Sequence, residues 1–262
     1  MSPQRDVTAP VFLVEPGALA DDVVVIDGPE GKHAATVRRL QVGEPVVVTD
    51  GHGSWVAGAV QAVEGRARVV VAVHESGVDE RPLLRLTVLQ AMPKGDRGET
   101  AVETLTEVGV DVIVPWISER TQVRLDPERE AKIISRWRAT AREAGKQARR
   151  SFAPVVGEVV RRQEALALVE GAAFAVVLDA EAGHALGDLD LPVEGDVVLV
   201  VGPEGGVTPA EIADFVIAGA IPARLGPSVL RTSTAGTVAA GVVLSRTSRW
   251  SINTLDGDRT QS

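Results

Sequence analysis

The chain has 262 residues, is 45% apolar and 24% charged, and carries a formal charge of −9, which fits a globular protein of one large or two small domains. With no cysteine there is no disulfide, thiolate metal site or cysteine nucleophile, and its four histidines are never two to five residues apart, so no metal site is expected. No run reaches the ~18 apolar residues of a membrane helix and no signal-peptide core opens the chain, so a cytoplasmic protein without membrane contact is expected.

Residues 11–76 read as mostly β. Strands are predicted at Val11–Val14, Val23–Ile26, Val46–Thr49, Ser54–Val63 and Arg66–His74, with turn signals at Gly51-His52-Gly53 and Glu64-Gly65. One short helix is predicted near His33–Leu40. Five short strands and one helix predict a small barrel over residues 1–76. Residues 77–83 form a mostly polar stretch that carries Gly77 and Pro82, and read as a linker.

From residue 84 to 249 strands alternate with helices, which implies a mostly parallel α/β sheet. Strands are predicted at Arg85–Ala91, Asp111–Trp116, Ala173–Leu178, Asp196–Val201 and Ala223–Leu225. Helices are predicted at Arg97–Val108, Pro127–Arg149, Gln163–Glu170, Pro209–Ile217 and Thr234–Arg246. Residues 250–262 read as a polar, frayed tail.

The predicted helix at 127–149 carries Ile134, Trp137, Ala141, Ala144 and Ala148 at alternating spacings of three and four, one apolar stripe for a core. Arg138, Arg142, Lys146 and Arg149 form a second stripe beside it, and Arg136, Glu143, Gln147 and Arg150 a polar face. Residues 119–150 hold ten Lys or Arg against five acids in an otherwise acidic chain. Either a solvated helix surface or a phosphate-contacting one fits this pattern. Arg38 and Arg39, next to His33 on the short helix, carry the same two readings.

Gly202-Pro203-Glu204-Gly205-Gly206 follows the apolar run Val197–Val201 and precedes Thr208-Pro209-Ala210-Glu211, where Thr208 and Glu211 spell a capping box and Pro209 suits a first turn. Strand, glycine loop and helix in that order is where open α/β sheets hold nucleotide-like ligands. The loop is neither G-x-G-x-x-G nor a P-loop. A second loop, Leu225-Gly226-Pro227-Ser228-Val229-Leu230-Arg231-Thr232, ends the next strand about twenty residues on, and two such loops point to one pocket. Glu204 reads as an acceptor for a ligand or as a solvated acid. Arg231 reads as a cation that steadies a developing anion, or as a helix-start contact. In the last helix, Ala235, Gly236, Ala239, Ala240 and Gly241 are spaced for close approach, within the chain or between subunits.

These segments together resemble the RsmE family, which methylates uridine N3 in small-subunit ribosomal RNA and belongs to the SPOUT superfamily. The likeness is carried by His33–Leu40, Thr106–Val110, Ser118-Glu119-Arg120-Thr121, Arg136-Trp137, Glu143-Ala144 with Gln147 and Arg150, Gly202–Gly206, and Leu225-Gly226-Pro227 with Leu230-Arg231-Thr232. It implies a PUA-like barrel followed by a SPOUT α/β domain with a deep trefoil knot, and a homodimer joined through the knotted domain. It implies S-adenosylmethionine held by Leu178, Gly202, Pro203, Glu204, Gly205, Gly206, Leu225, Gly226, Leu230 and Thr232. Arg231 and Glu204 are then the catalytic candidates. Small-subunit ribosomal RNA, free or within the 30S particle, would be held by Arg38, Arg39, Arg120, Arg136, Arg138, Arg142, Lys146, Arg149 and Arg150. Two departures stand out: Ser233 where many members carry Glu, and Glu103-Thr104 where many carry Gln-Lys. They leave the identity of a general base open. The rival readings are a SPOUT enzyme for another RNA position and a non-catalytic RNA-binding assembly factor.

Overall fold

The computed structural model describes residues 8–19, 21–95, 97–122 and 126–250, so the polar tail lies almost wholly outside the described residues, as does Arg124 of the basic segment. In chain order the elements are β1 (Val11–Leu13), β2 (Val23–Ile26), α1 (Gly28–Lys32) running into a π-turn (His33–Val37), β3 (Pro45–Thr49), β4 (Ser54–Glu64), β5 (Arg68–Val78), β6 (Leu84–Ala91), α2 (Arg97–Val108), β7 (Val112–Trp116), α3 (Pro127–Gln147) and β8 (Val155–Val156). They continue as α4 (Arg162–Glu170), β9 (Phe174–Leu178), β10 (His184–Ala185), β11 (Gly195–Val201), α5 (Pro209–Ile217), β12 (Ile221–Arg224) and α6 (Thr232–Ser245), with short 3₁₀ turns at Leu186–Asp188 and Ser248–Trp250.

The chain divides into two compact units, one of Met1–Arg81, Val102–Glu107 and Asp126–Val156, the other of Pro82–Ala101, Val108–Leu125 and Gly157–Ser262. In the first unit a five-stranded sheet runs in the order β1-β3-β4-β5-β2. Only the β1–β3 pair is parallel. Valine-rich strands put Val24, Val48, Val56, Val69 and Val71 with Phe12 and Ile26 into one core. Register shifts at Ala57/Gly58 and Val60/Ala62 bend the β4–β5 ribbon. A Cβ at Gly31 would lie 2.1 Å from the Ala67 carbonyl oxygen, so only glycine lets α1 come this close to the β4–β5 turn.

By its contacts the long helix α3 groups with this first unit. Asp126 caps it by accepting from the Arg129 amide at 2.8 Å, and Pro127 occupies its first turn. Its stripe of Ile134, Trp137, Ala141 and Ala144 is buried as the spacing predicts. The segment after the helix is tied to the β3–β4 turn by bonds from Gly53 to Ser151 and from Ala153 to Gly51. Alternation along the chain placed α3 among crossover helices; in the structure it packs on β8 and on β1. The span 77–83 begins inside β5, which runs on to Val78.

In the second unit the strands run in the order β10-β12-β9-β11-β6-β7, every pair parallel. Near-continuous apolar runs in β9 and β11 fit a sheet covered on both faces. Trp116 and Phe215 meet edge to face at 5.6 Å in its core, and the Trp116 indole N–H donates to the Val201 carbonyl at 2.9 Å. The small residues of α6 serve this packing: Gly236, Ala239 and Ala240 are buried, and the helix lies on β6 and β11. The dipeptide strands β8 and β10 were not anticipated, since two residues carry no periodicity.

Candidate active site

Parallel register decides where the site lies. Leu178 of β9 stands opposite Ala223 of β12, and Val177 opposite Val200 of β11, so the three strands end together. The segments that follow them therefore leave from one edge, the carboxyl edge where open α/β sheets bind ligands. They line an open cavity of about 330 Å³.

Leu178, Gly202, Pro203, Glu204, Gly206, Leu225, Gly226, Leu230, Arg231 and Thr232 all line it. Gly205 does not: its carbonyl accepts from Arg120 Nη1 at 2.7 Å, and the Arg120 side chain lies over its α-carbon. Sequence reasoning missed Asp179, Ala180, Arg224 and Ala235, which also line the cavity, as do Ser228 and Val229 of the second loop. Asp179 and Arg224 sit at strand ends, and a parallel strand's last residue was the signal that could have found them.

The Gly202–Gly206 loop is shaped by its glycines. A Cβ at Gly202 would meet Val207 Cγ2 at 2.7 Å, and Gly206 takes φ +75° while its amide closes a turn onto the Pro203 carbonyl at 2.8 Å. Beyond it the capping box forms as spelled: Glu211 N donates to Thr208 Oγ1 at 3.2 Å and Thr208 N to Glu211 Oε2 at 2.9 Å. Glu211 is only 2% exposed, and its other oxygen accepts from the Glu119 amide at 2.8 Å. Thr208 Oγ1 in turn donates to Glu119 Oε2 at 3.0 Å, and Arg162 donates to Glu119 Oε1 at 2.9 Å. The Ser118–Thr121 turn is thus bonded both to the glycine loop, through Arg120, and to the start of α5.

Glu204 accepts from the Lys94 amide at 3.3 Å and lies 3.8 Å from Arg97 Nη1; both contacts use Oε1. Arg231 occupies the N-cap of α6, with its carbonyl accepting from Thr234 and Ala235. Its side chain is exposed and forms no ion pair among the described residues.

The basic residues are not equivalent. Lys146 is not part of a solvent-facing stripe: its side chain is 6% exposed and bonds Glu30 at 2.7 Å and Glu143 at 2.8 Å. Burial alone would depress its pKa, but the hydrogen bonds and charges of Glu143 and Glu30 outweigh it and hold the ammonium above the ordinary lysine value. The stripe brings Lys146 beside the buried Gly145, and a carboxylate on α1 meets it there. Arg150 donates to the Thr106 carbonyl at 2.9 Å and Arg138 to the Val156 carbonyl at 3.2 Å, so both are engaged in holding backbone. Arg38, Arg39, Arg136, Arg142 and Arg149 are exposed.

Strand-end segments gathered at the carboxyl edge of a parallel sheet mark an α/β ligand-binding domain, and comparison with known proteins narrows the class. An RNA methyltransferase domain model matches residues 79–244, and an RNA methyltransferase PUA domain model matches residues 26–73. The chain is 42% identical to ribosomal RNA small subunit methyltransferase E of Mycobacterium tuberculosis, over 95% of this chain and 96% of that one. It is 29% identical to the protein of that name from Bacillus subtilis, over 83% and 88%. A methyltransferase of Legionella pneumophila solved with bound S-adenosylmethionine superposes with a TM-score of 0.81 at 27% identity, covering 92% of this chain and 99% of that one. The Neisseria gonorrhoeae ribosomal RNA small subunit methyltransferase E bound to S-adenosylmethionine gives 0.79 at 27%, over 90% and 97%. The protein is therefore an RNA methyltransferase by domain class. More narrowly, the chain belongs to the ribosomal RNA small subunit methyltransferase E family.

Proposed function

We propose that this protein methylates N3 of a uridine in small-subunit ribosomal RNA, with S-adenosylmethionine as methyl donor. The observation that carries the reading is the convergence of three strand-end segments on one cavity with Arg231 in its wall. The cavity suits the donor. Leu178, Val201, Leu225 and Leu230 offer apolar walls, and the strand ends bring backbone amides and carbonyls to a polar ligand. At Gly226 a Cβ would have no atom within 4 Å, so the wall there opens onto free space.

When bound, S-adenosylmethionine supplies a methyl group already made electrophilic by its sulfonium. The chain's task is alignment, removal of the N3 proton and stabilisation of charge on the uracil oxygens. N3 lies on the pairing edge, so the base must be unpaired or extruded to reach the cavity. Arg231, unpaired and fixed at the start of α6, stabilises the developing anion. Glu204 is held through Oε1 by Lys94 and Arg97, which leaves Oε2 to accept from the uracil or the donor. Arg38, Arg39, Arg136, Arg142 and Arg149 hold phosphates; Arg138 and Arg150 assist from their backbone anchors. Arg120 braces the glycine loop from outside the cavity at Gly205, and Lys146 fixes α3.

The same reading includes a trefoil knot in the domain at 84–249, a PUA-like RNA-binding domain at 1–76, action on the 30S particle in the cytoplasm, and a homodimer. Apolar side chains left exposed at Val238 and Trp250 support the dimer. The test is a map of N3-methyluridine in small-subunit ribosomal RNA from cells lacking the protein. Loss of one such mark, restored by the wild-type gene, is expected; an unchanged map contradicts the assignment.

A further inference from the structure

Gln90 is the penultimate residue of β6, and its side chain is completely buried. Its amide nitrogen donates to the Ala91 carbonyl at 3.1 Å and to the Thr232 carbonyl at 3.3 Å. Turning the amide over would set its oxygen against two carbonyl oxygens, so these partners fix its orientation. Oε1 is then left without a donor, the one such buried side-chain atom among the described residues. An orphaned buried acceptor destabilises a fold, and a hydrocarbon side chain of similar length would remove that cost. The amide is thus bonded on its nitrogen side alone, to two backbone carbonyls.

Thr232 begins α6, directly follows Arg231 and lines the cavity. On the strand side, Gln90 pairs with Val201, the residue before Gly202. One side chain thus links the strand pair beneath the glycine loop to the peptide that starts α6.

We infer that Gln90 is a positioning residue for the transfer: its amide fixes the Thr232 carbonyl and so holds Arg231 at the cavity wall. This rests on the methyl-transfer reading. It assigns Gln90 no contact with donor or RNA, only control over where the cation stands when charge develops.

The test compares Gln90→Leu and Gln90→Glu with the wild type in thermal melts, in calorimetric titration with S-adenosylmethionine, and in single-turnover methylation of unmodified small ribosomal subunits at saturating donor. Gln90→Leu is expected to melt at or above the wild-type temperature, to bind the donor within about threefold, and to lose roughly tenfold or more in rate. In Gln90→Glu, burial raises the carboxyl pKa, and the protonated acid keeps one donor for Thr232. Its rate deficit relative to wild type should therefore deepen as pH rises. A wild-type rate in Gln90→Leu, or a rate loss matched by a fall in melting temperature, overturns the inference. If Gln90→Leu does not fold, a pH-independent deficit in Gln90→Glu overturns it. A wild-type protein that neither binds the donor nor transfers methyl sinks the methyl-transfer reading itself.

Discussion

Arg120 donates from Nη1 to the carbonyl oxygen of Gly205 at 2.7 Å, and its side-chain carbons cover the outer side of that glycine. A loop built on Gly202, Gly205 and Gly206 has little side-chain packing of its own. An external brace is what gives it one conformation.

Arg120→Ala should therefore weaken S-adenosylmethionine binding by about three- to tenfold, because the loop must be ordered at the moment of binding. Titration calorimetry checks this. Unchanged donor affinity would return Arg120 to the set of RNA contacts.

Lys146→Met should destabilise the protein by about 3 kcal/mol, since it strands the carboxylate of Glu30 in a largely buried position. The pH dependence follows from the direction of the shift. The lysine's folded pKa is raised, so the contribution of the pair is fully present below the ordinary value of 10.5 and is lost as pH rises through the folded value. The chain has no tyrosine, no cysteine and only four lysines, so little else titrates there. Denaturant melts from pH 8 to 11 should show wild-type stability falling at the alkaline end, and a flatter curve for Lys146→Met.

Much of this was legible in the sequence, and the exceptions have physical causes. The spacing from Ile134 to Ala144 identified the buried face of α3, and Thr208 with Glu211 identified the start of α5, because both signals are local. The two glycine loops of the cavity were legible from the order of strand, loop and helix, whereas Leu178 came only from the family resemblance. Lys146 was misassigned because its burial depends on Glu30, 116 residues away. Gln90 carries no local pattern; its place comes from register between strands distant in the chain.

Arg142 is exposed on α3, whereas Lys146 one turn further on is buried and paired. Arg142→Ala should reduce the slope of log K against log salt for RNA binding by about one, the loss of one phosphate contact. Arg38→Ala with Arg39→Ala should reduce it by about two. Filter binding at several salt concentrations reads both, and an unchanged slope would assign these arginines to a merely solvated surface.

Arg231→Ala should lower single-turnover methylation by about 10²–10³-fold while leaving donor affinity within a few-fold, the pattern for a group that acts on charge developing in the transition state. Near-normal turnover would remove Arg231 from the chemistry.

Methyl transfer by this chain requires the cavity between the three strand-end segments to be the donor's seat. Calorimetric titration of S-adenosylmethionine into the wild type and Gly226→Leu tests it directly, because Gly226 lines the cavity and a Cβ there meets no atom within 4 Å, so a leucine can be added at the cavity wall without a clash. One donor per chain in the wild type, and no binding in an equally stable Gly226→Leu, is the predicted result. Equal affinity in the two proteins, or no heat from the wild type at millimolar donor, would contradict it.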